Sequence, residues 1–116
     1  MTNRTILITG ATGGIGKETA IGLAKRGVHV IITGRNLQRG EQAVKDIEQA
    51  SGNSNIDLVL ADMAVQADIR RLAETVMEQY SRLDVLINNV GVLAEERTLT
   101  EDGIELNFAI NHLATF

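Results

Sequence analysis

Four glycines crowd the run Thr9-Gly10-Ala11-Thr12-Gly13-Gly14-Ile15-Gly16-Lys17, making a turn with almost no side chains that a phosphate can approach closely. Before it stands Thr5-Ile6-Leu7-Ile8, β-rich enough for a buried strand. After it, residues 15–26 carry Ile15, Thr19, Ala20, Leu23 and Ala24 at helical spacing. Strand, glycine turn and helix in that order offer an anion the unpaired amides and positive dipole end of the helix. The glycines have separate tasks: one lets the chain reverse, one lets amides reach the anion, and one lets helix and strand pack closely. Gly10, Gly14 and Gly16 have this arrangement, with Gly13 as an extra. A tight strand-to-helix connection with no ligand uses the same residues, so the remaining chain must decide. A P-loop is excluded, because its first glycine would fall on Ala11 and its Ser or Thr on Glu18.

Arg35 is the second candidate for chemistry. It follows Val28-His29-Val30-Ile31-Ile32-Thr33, a β-branched run that suits a parallel strand covered on both faces. In a dinucleotide-binding unit the position after this strand reads the adenosine ribose. An acid there accepts from the 2′-hydroxyl, and a cation accommodates a 2′-phosphate. Here the acid is absent, Gly34 leaves room and Arg35 presents a planar fork of donors, a pattern that favours NADP(H) over NAD(H). The competing reading is a solvated arginine beside a helix start. His29 reads as a partly exposed strand histidine, not a ligand.

Further along, Asn36 is an N-cap for a helix over residues 37–50, with Ala43, Val44 and Ile47 on its buried face and Gly52 ending it. Residues 51–55 form a polar turn and 56–60 a third strand. Beyond it, Asp62 is placed either to accept from an adenine amino group or to cap the next helix, and the two roles are compatible. That helix repeats Ile69, Leu72, Ala73, Val76, Met77 and Tyr80 as one apolar stripe, with Arg70, Arg71, Glu74, Glu78 and Gln79 facing water. Tyr80 belongs to the stripe as a packing residue. A fourth strand over 84–87 ends in Asn88-Asn89-Val90-Gly91, where an amide can bridge strands beside a cofactor and Gly91 lets a ribose approach. A polar loop over 92–100 leads to a helix from 102 to 116. Its two apolar sides want two partners, and Asn111 among them invites a functional explanation.

Alternating strands and helices at this spacing give an α/β fold, a Rossmann-like doubly wound parallel sheet with right-handed crossovers. The expected strand order is 3-2-1-4, with ligands at the carboxyl ends where the order reverses. At 116 residues and 44% hydrophobic the chain is one domain at most, below the size of most complete dinucleotide-dependent enzymes. A net charge of -4 and only Tyr80, Phe108 and Phe116 as aromatics argue against a nucleic-acid surface. The absence of cysteine and the two isolated histidines argue against a metal centre, and no apolar stretch approaches membrane-spanning length, so the expectation is a cytoplasmic chain without a membrane partner.

Taken together, the sequence resembles the short-chain dehydrogenases and reductases, classical branch, most closely their retinol-dehydrogenase-like NADP(H) members. The resemblance is carried by residues 9–20, Thr33-Gly34-Arg35-Asn36, Ala61-Asp62-Met63, Asn88-Asn89-Val90-Gly91, and Gly103-Ile104-Glu105 leading to Asn111-His112-Leu113. The glycine spacing alone also fits the sugar-epimerase branch (Gly10, Gly13, Gly16); Asn88-Asn89-Val90-Gly91 decides for the classical one, although the family has alanine where Val90 stands. The resemblance implies that Gly10, Thr12, Gly13, Gly14, Ile15 and Gly16 hold the pyrophosphate and Arg35 the 2′-phosphate. It further implies that Asp62 and Met63 meet the adenine, that Asn89, Val90 and Gly91 line the nicotinamide side, and that Asn111 holds a water in a proton relay. The family's catalytic serine and Tyr-x-x-x-Lys have no counterpart: Tyr80 is followed four residues later by Asp84. Residues 1–116 therefore read as a dinucleotide-binding domain incomplete at its C-terminus, truncated after the fourth strand and the start of the next helix.

Two functions remain open from sequence. One is the NADP(H)-binding part of an oxidoreductase whose parent reaction moves hydride between the cofactor and an alcohol or carbonyl carbon. The other is a non-catalytic nucleotide-binding or interaction module, complete at Phe116. The outer edge of the fourth strand and the spare apolar face of the last helix also predict self-association.

Overall fold

The computed structural model describes residues 4–80 and 82–87. Within them the elements run β1 (Thr5–Ile8), α1 (Gly14–Ala24), β2 (His29–Gly34), α2 (Leu37–Ser51), β3 (Ile56–Leu60), α3 (Gln66–Gln79) and β4 (Val85–Ile87). The four strands form one parallel sheet in the order β3-β2-β1-β4, the order expected from right-handed crossovers.

Strand residues alternate between two cores, and this sorts the helices onto opposite faces. Ile6, Ile8, Val30, Ile32 and Ile56 pack with Ala20 and Ala24 of α1 and with Ala43 and Ile47 of α2. Leu7 and Ile31 turn to the other face and meet Leu72 and Val76 of α3, together with Ala61 and Met63. Burying Ile8, Ile31, Ile32 and Ile47 completely stabilises the sheet by about 1.5–3 kcal/mol per side chain.

Helix ends follow their local chemistry. The Asn36 carboxamide oxygen accepts from the Arg39 amide at 3.0 Å, and α2 stops at Gly52, whose φ of 74° is left-handed and whose amide donates to the Glu48 carbonyl. Helix α1 ends at Ala24, two residues short of the helical pattern over 15–26, and Gly27 at φ 80° turns the chain. In the polar turn, Asn53 Nδ2 donates to the carbonyls of Ala24 and Val28, tying the α2–β3 connection to the α1–β2 one.

Two apolar stripes are narrower than their periodicity. Ile15 is 81% exposed, because α1 contacts the sheet through the small residues Gly16, Ala20 and Ala24, which bring the helix close and leave Ile15 off the contact line. On α3 only Leu72 and Val76 are buried, with Ile69 and Tyr80 packed partly against them. Met77 and Ala73 lie on the flank and are exposed.

Strand β4 is one residue shorter than expected. Asp84 stands outside the ladder, its Oδ2 accepting the Thr5 amide at 2.8 Å and its Oδ1 accepting from Arg82 Nε. The Thr5 amide, with Arg82 and Arg4 nearby, holds the Asp84 carboxyl below the usual carboxylate range. Expectations for Asn88 to Gly91, the following loop and the last helix lie outside the described residues.

Candidate functional site

In a parallel sheet every strand delivers its following loop to the same edge, so the glycine turn, Arg35 and Asp62 are neighbours there by topology. Strand β1 lies between β2 and β4, where successive connections change direction, and its turn occupies the switch point.

The turn is built from backbone. Gly10 (φ 69°) and Gly14 (φ 61°) occupy the left-handed region, which only glycine enters without strain. Gly13 is extended, at φ -166°, so its value lies in what it omits: a Cβ at Gly13 or at Gly14 would meet nothing within 4 Å, and the space before α1 is open. Gly16 is buried on the sheet side of the helix, where it permits close packing. The N-terminus of α1 has no side-chain cap and no acidic residue in its first turn, whereas α2 is capped by Asn36 and α3 carries Asp68 in its first turn. Uncapped amides and an unneutralised dipole suit an anion. Beside them lies an open depression lined by Gly13, Gly14, Ile15, Lys17, Glu18 and Thr19.

The turn is gripped from both neighbouring strands. The Gly10 amide donates to Thr33 Oγ1 of β2 at 3.2 Å, and the Thr9 amide donates to the Ile87 carbonyl of β4 at 3.1 Å. Thr12 rests its methyl group on Gly34, where an added Cβ would lie 2.7 Å from Thr12 Cγ2. Lys17 points its charge away from the turn: Nζ donates to Asp46 Oδ2 of α2 at 2.6 Å, and Gln42 Nε2 donates to Oδ1 at 2.9 Å. The hydrogen bond from Lys17, with that from Gln42, lowers the Asp46 carboxyl below its ordinary range.

Arg35 follows Gly34 directly, is exposed, and forms no ion pair among the described residues. Asp62 is half-buried. Its Oδ1 accepts from the Ala64 amide at 2.9 Å, and its own amide donates to Asp68 Oδ2. Asp62 does not cap α3, contrary to that half of the expectation: the helix starts at Gln66 behind Val65, so Asp62 instead closes a short turn between strand and helix. Met63 is 8% exposed and belongs to the core cluster with Leu72 and Val76. Asn89, Val90, Gly91 and Asn111 lie outside the described residues.

A polar cluster not anticipated from sequence occupies the opposite edge. His29 Nε2 lies 2.8 Å from Asp57 Oδ2, the Tyr80 hydroxyl donates to the same oxygen at 2.7 Å, and the two rings are 5.3 Å apart. Burial and Asp57 raise the Tyr80 phenol well above its usual 10.0. Two polar residues directed to one face of adjacent, otherwise apolar strands were the signal available. Among the described residues no group of three or more His, Asp or Glu side chains could hold a metal, and no helix is long and apolar enough to cross a membrane.

A parallel 3-2-1-4 sheet with a glycine turn and an uncapped helix N-terminus at its switch point defines a Rossmann-like doubly wound fold. The chain belongs to the short chain dehydrogenase family, whose sequence profile matches residues 4–116. Retinol dehydrogenase 13 of Homo sapiens is 41% identical over 113 residues, covering 97% of this chain and 34% of that protein. Among solved structures, the Pseudomonas aeruginosa RhlG/NADP active-site complex superposes with a TM-score of 0.81 at 31% identity, covering 100% of this chain and 45% of that one. The short-chain dehydrogenase from Sphingobium yanoikuyae in complex with NADPH gives 0.78 at 30% identity, covering 96% and 44%. The chain spans about a third of the length of the curated relatives it matches.

Proposed function

We propose that this chain is the NADP(H)-binding part of a short-chain dehydrogenase or reductase whose parent reaction moves hydride between the nicotinamide and an alcohol or carbonyl carbon. The observation that carries the reading is the combination of an open, uncapped glycine turn with an exposed Arg35 that forms no ion pair among the described residues, just past the adjoining strand. The residues fit the group. Backbone amides from Gly13 to Gly16 would take the pyrophosphate, and the exposed Arg35 would meet a 2′-phosphate with its planar donors, while the space that Gly34 leaves is taken by the Thr12 methyl group. The second oxygen of Asp62 would accept from the adenine amino group. By family resemblance Asn89, Val90 and Gly91 take the nicotinamide side and Asn111 holds a relay water. Bound nicotinamide supplies the hydride chemistry, and the protein supplies orientation. The NADP and NADPH complexes among structural neighbours support this choice of cofactor over NAD(H). Self-association through the outer edge of β4, where Val85 and Leu86 are exposed, belongs to the same proposal, as does a cytoplasmic location.

The test is Arg35→Asp in the protein expressed from its own gene, with NADPH and NADH affinities measured by fluorescence titration. Hydrogen bonds to charged groups contribute about 1.5–3 kcal/mol, so NADPH binding should weaken roughly 10- to 100-fold while NADH binding holds or improves. An unchanged ratio of the two affinities removes Arg35 as the phosphate reader.

A further inference from the structure

We propose that Thr33 is a positioning residue for the dinucleotide, its hydroxyl holding the glycine turn in register with Arg35 so that one ligand is gripped at both its phosphate groups. This rests on the NADP(H) reading of the site. Thr33 is 1% exposed in the middle of the sheet, where valine would fill the same space without a polar atom to satisfy. The hydroxyl has a definite use: it accepts the amide of Gly10, 23 residues away in sequence, at the point where the chain leaves β1. Two residues further on, just past the end of β2, stands Arg35, and between them Gly34 carries the Thr12 methyl group. The turn thus meets the end of β2 at two points, the Gly10–Thr33 hydrogen bond and the Thr12–Gly34 contact, while Thr9 fixes it to β4 on the other side.

A pyrophosphate on the turn and a 2′-phosphate on Arg35 belong to one molecule of fixed reach. Each contact is fully realised only when the other end is also in place, so the separation of turn and arginine has to be set before binding. Removing the Thr33 acceptor lets the turn shift against β2. A ligand held at both ends then loses more than one held at the turn alone, so NADPH suffers more than NADH.

Thr33→Val keeps the shape and removes the acceptor; Thr33→Ser keeps the hydroxyl. In the protein expressed from its own gene, T33V should weaken NADPH about tenfold, the worth of one buried hydrogen bond, and NADH by less than about threefold. T33S should stay within about threefold of wild type for both. Equal losses for the two cofactors in T33V, no loss, or a loss in T33S as large as in T33V would overturn the proposal. A wild-type protein without NADPH preference overturns the underlying site reading and this inference with it; in a wild type that prefers NADPH, the variant results bear on Thr33 alone. Hydrogen exchange in the wild type is an independent check that needs no variant to fold: the Gly10 amide should exchange slowly, and rapid exchange overturns the assignment.

Discussion

The phenol of Tyr80 donates to Asp57 Oδ2 at 2.7 Å, beside His29, which shares that oxygen. Burial and the neighbouring carboxylate both disfavour a phenolate, so the Tyr80 pKa is raised above 10.0. A pKa raised on folding contributes stability that is fully present below the unfolded value and is lost as pH climbs through the folded one. Tyr80 is the chain's single tyrosine and there is no tryptophan, so tyrosinate absorbance from this chain reports this group alone. Native protein limited to these residues should show no phenol ionisation at pH 10, and its resistance to urea should fall as the pH is raised further. Tyr80→Phe should flatten that alkaline decline, whereas ionisation near 10 in the native state contradicts the assignment. The sequence made Tyr80 legible as a packing residue on an apolar stripe, because that follows from helical spacing. Its partner was not legible, since whether Asp57 or a neighbour stands across from it depends on strand register, Val30 opposite Ile56, which local pattern does not set. The Lys17–Asp46 pair was not legible either, since the two lie 29 residues apart on two helices whose mutual packing local pattern does not set. Gly10 and Gly14 were legible because a left-handed φ is a local demand.

At the scale of elements, α2 is defined by its two ends. Asn36 satisfies one of the orphan amides of its first turn, and Gly52 accepts a left-handed φ of 74° that an L side chain enters at a cost. Asn36→Ala and Gly52→Ala should each destabilise the protein by about 1 kcal/mol. The sites lie a helix length apart and share no partner, so the double variant should show their sum. Urea midpoints at unchanged slope measure this, and a neutral Gly52→Ala would mean that the turn relaxes without its glycine. Helix ends were readable from sequence because capping is chemistry among near neighbours. The width of the buried faces was not: Ile15 and Met77 fit the helical period yet lie 81% and 79% exposed, because period says which residues share a side and not how closely the sheet approaches. Asp62 shows the same boundary. Its type announces a turn, but three residues separate it from the start of α3, and its carboxylate serves Ala64 instead of the helix.

For the molecule as a whole, strand order was legible because parallel strands joined by helices admit few right-handed arrangements, and β3-β2-β1-β4 is the one that puts the glycine turn at the reversal. That order has an energetic consequence for the proposed ligand. The glycine turn follows β1, Arg35 follows β2 and Asp62 follows β3, so the three come together only when the sheet is assembled and the unfolded chain offers no comparable site. Ligand binding is then linked to folding of the entire sheet. NADPH at 100 times its dissociation constant should stabilise the native state by about 2.7 kcal/mol and raise the thermal midpoint by several degrees. With Arg35 as the proposed reader of the 2′-phosphate, NADH at the same concentration should raise the midpoint less, and Arg35→Asp should remove the difference between the two cofactors. Calorimetry with each cofactor separates these terms. Equal shifts for NADPH and NADH in the wild type would assign the binding energy to the glycine turn alone, and an absence of any shift at saturating NADPH would remove the dinucleotide from the proposal altogether.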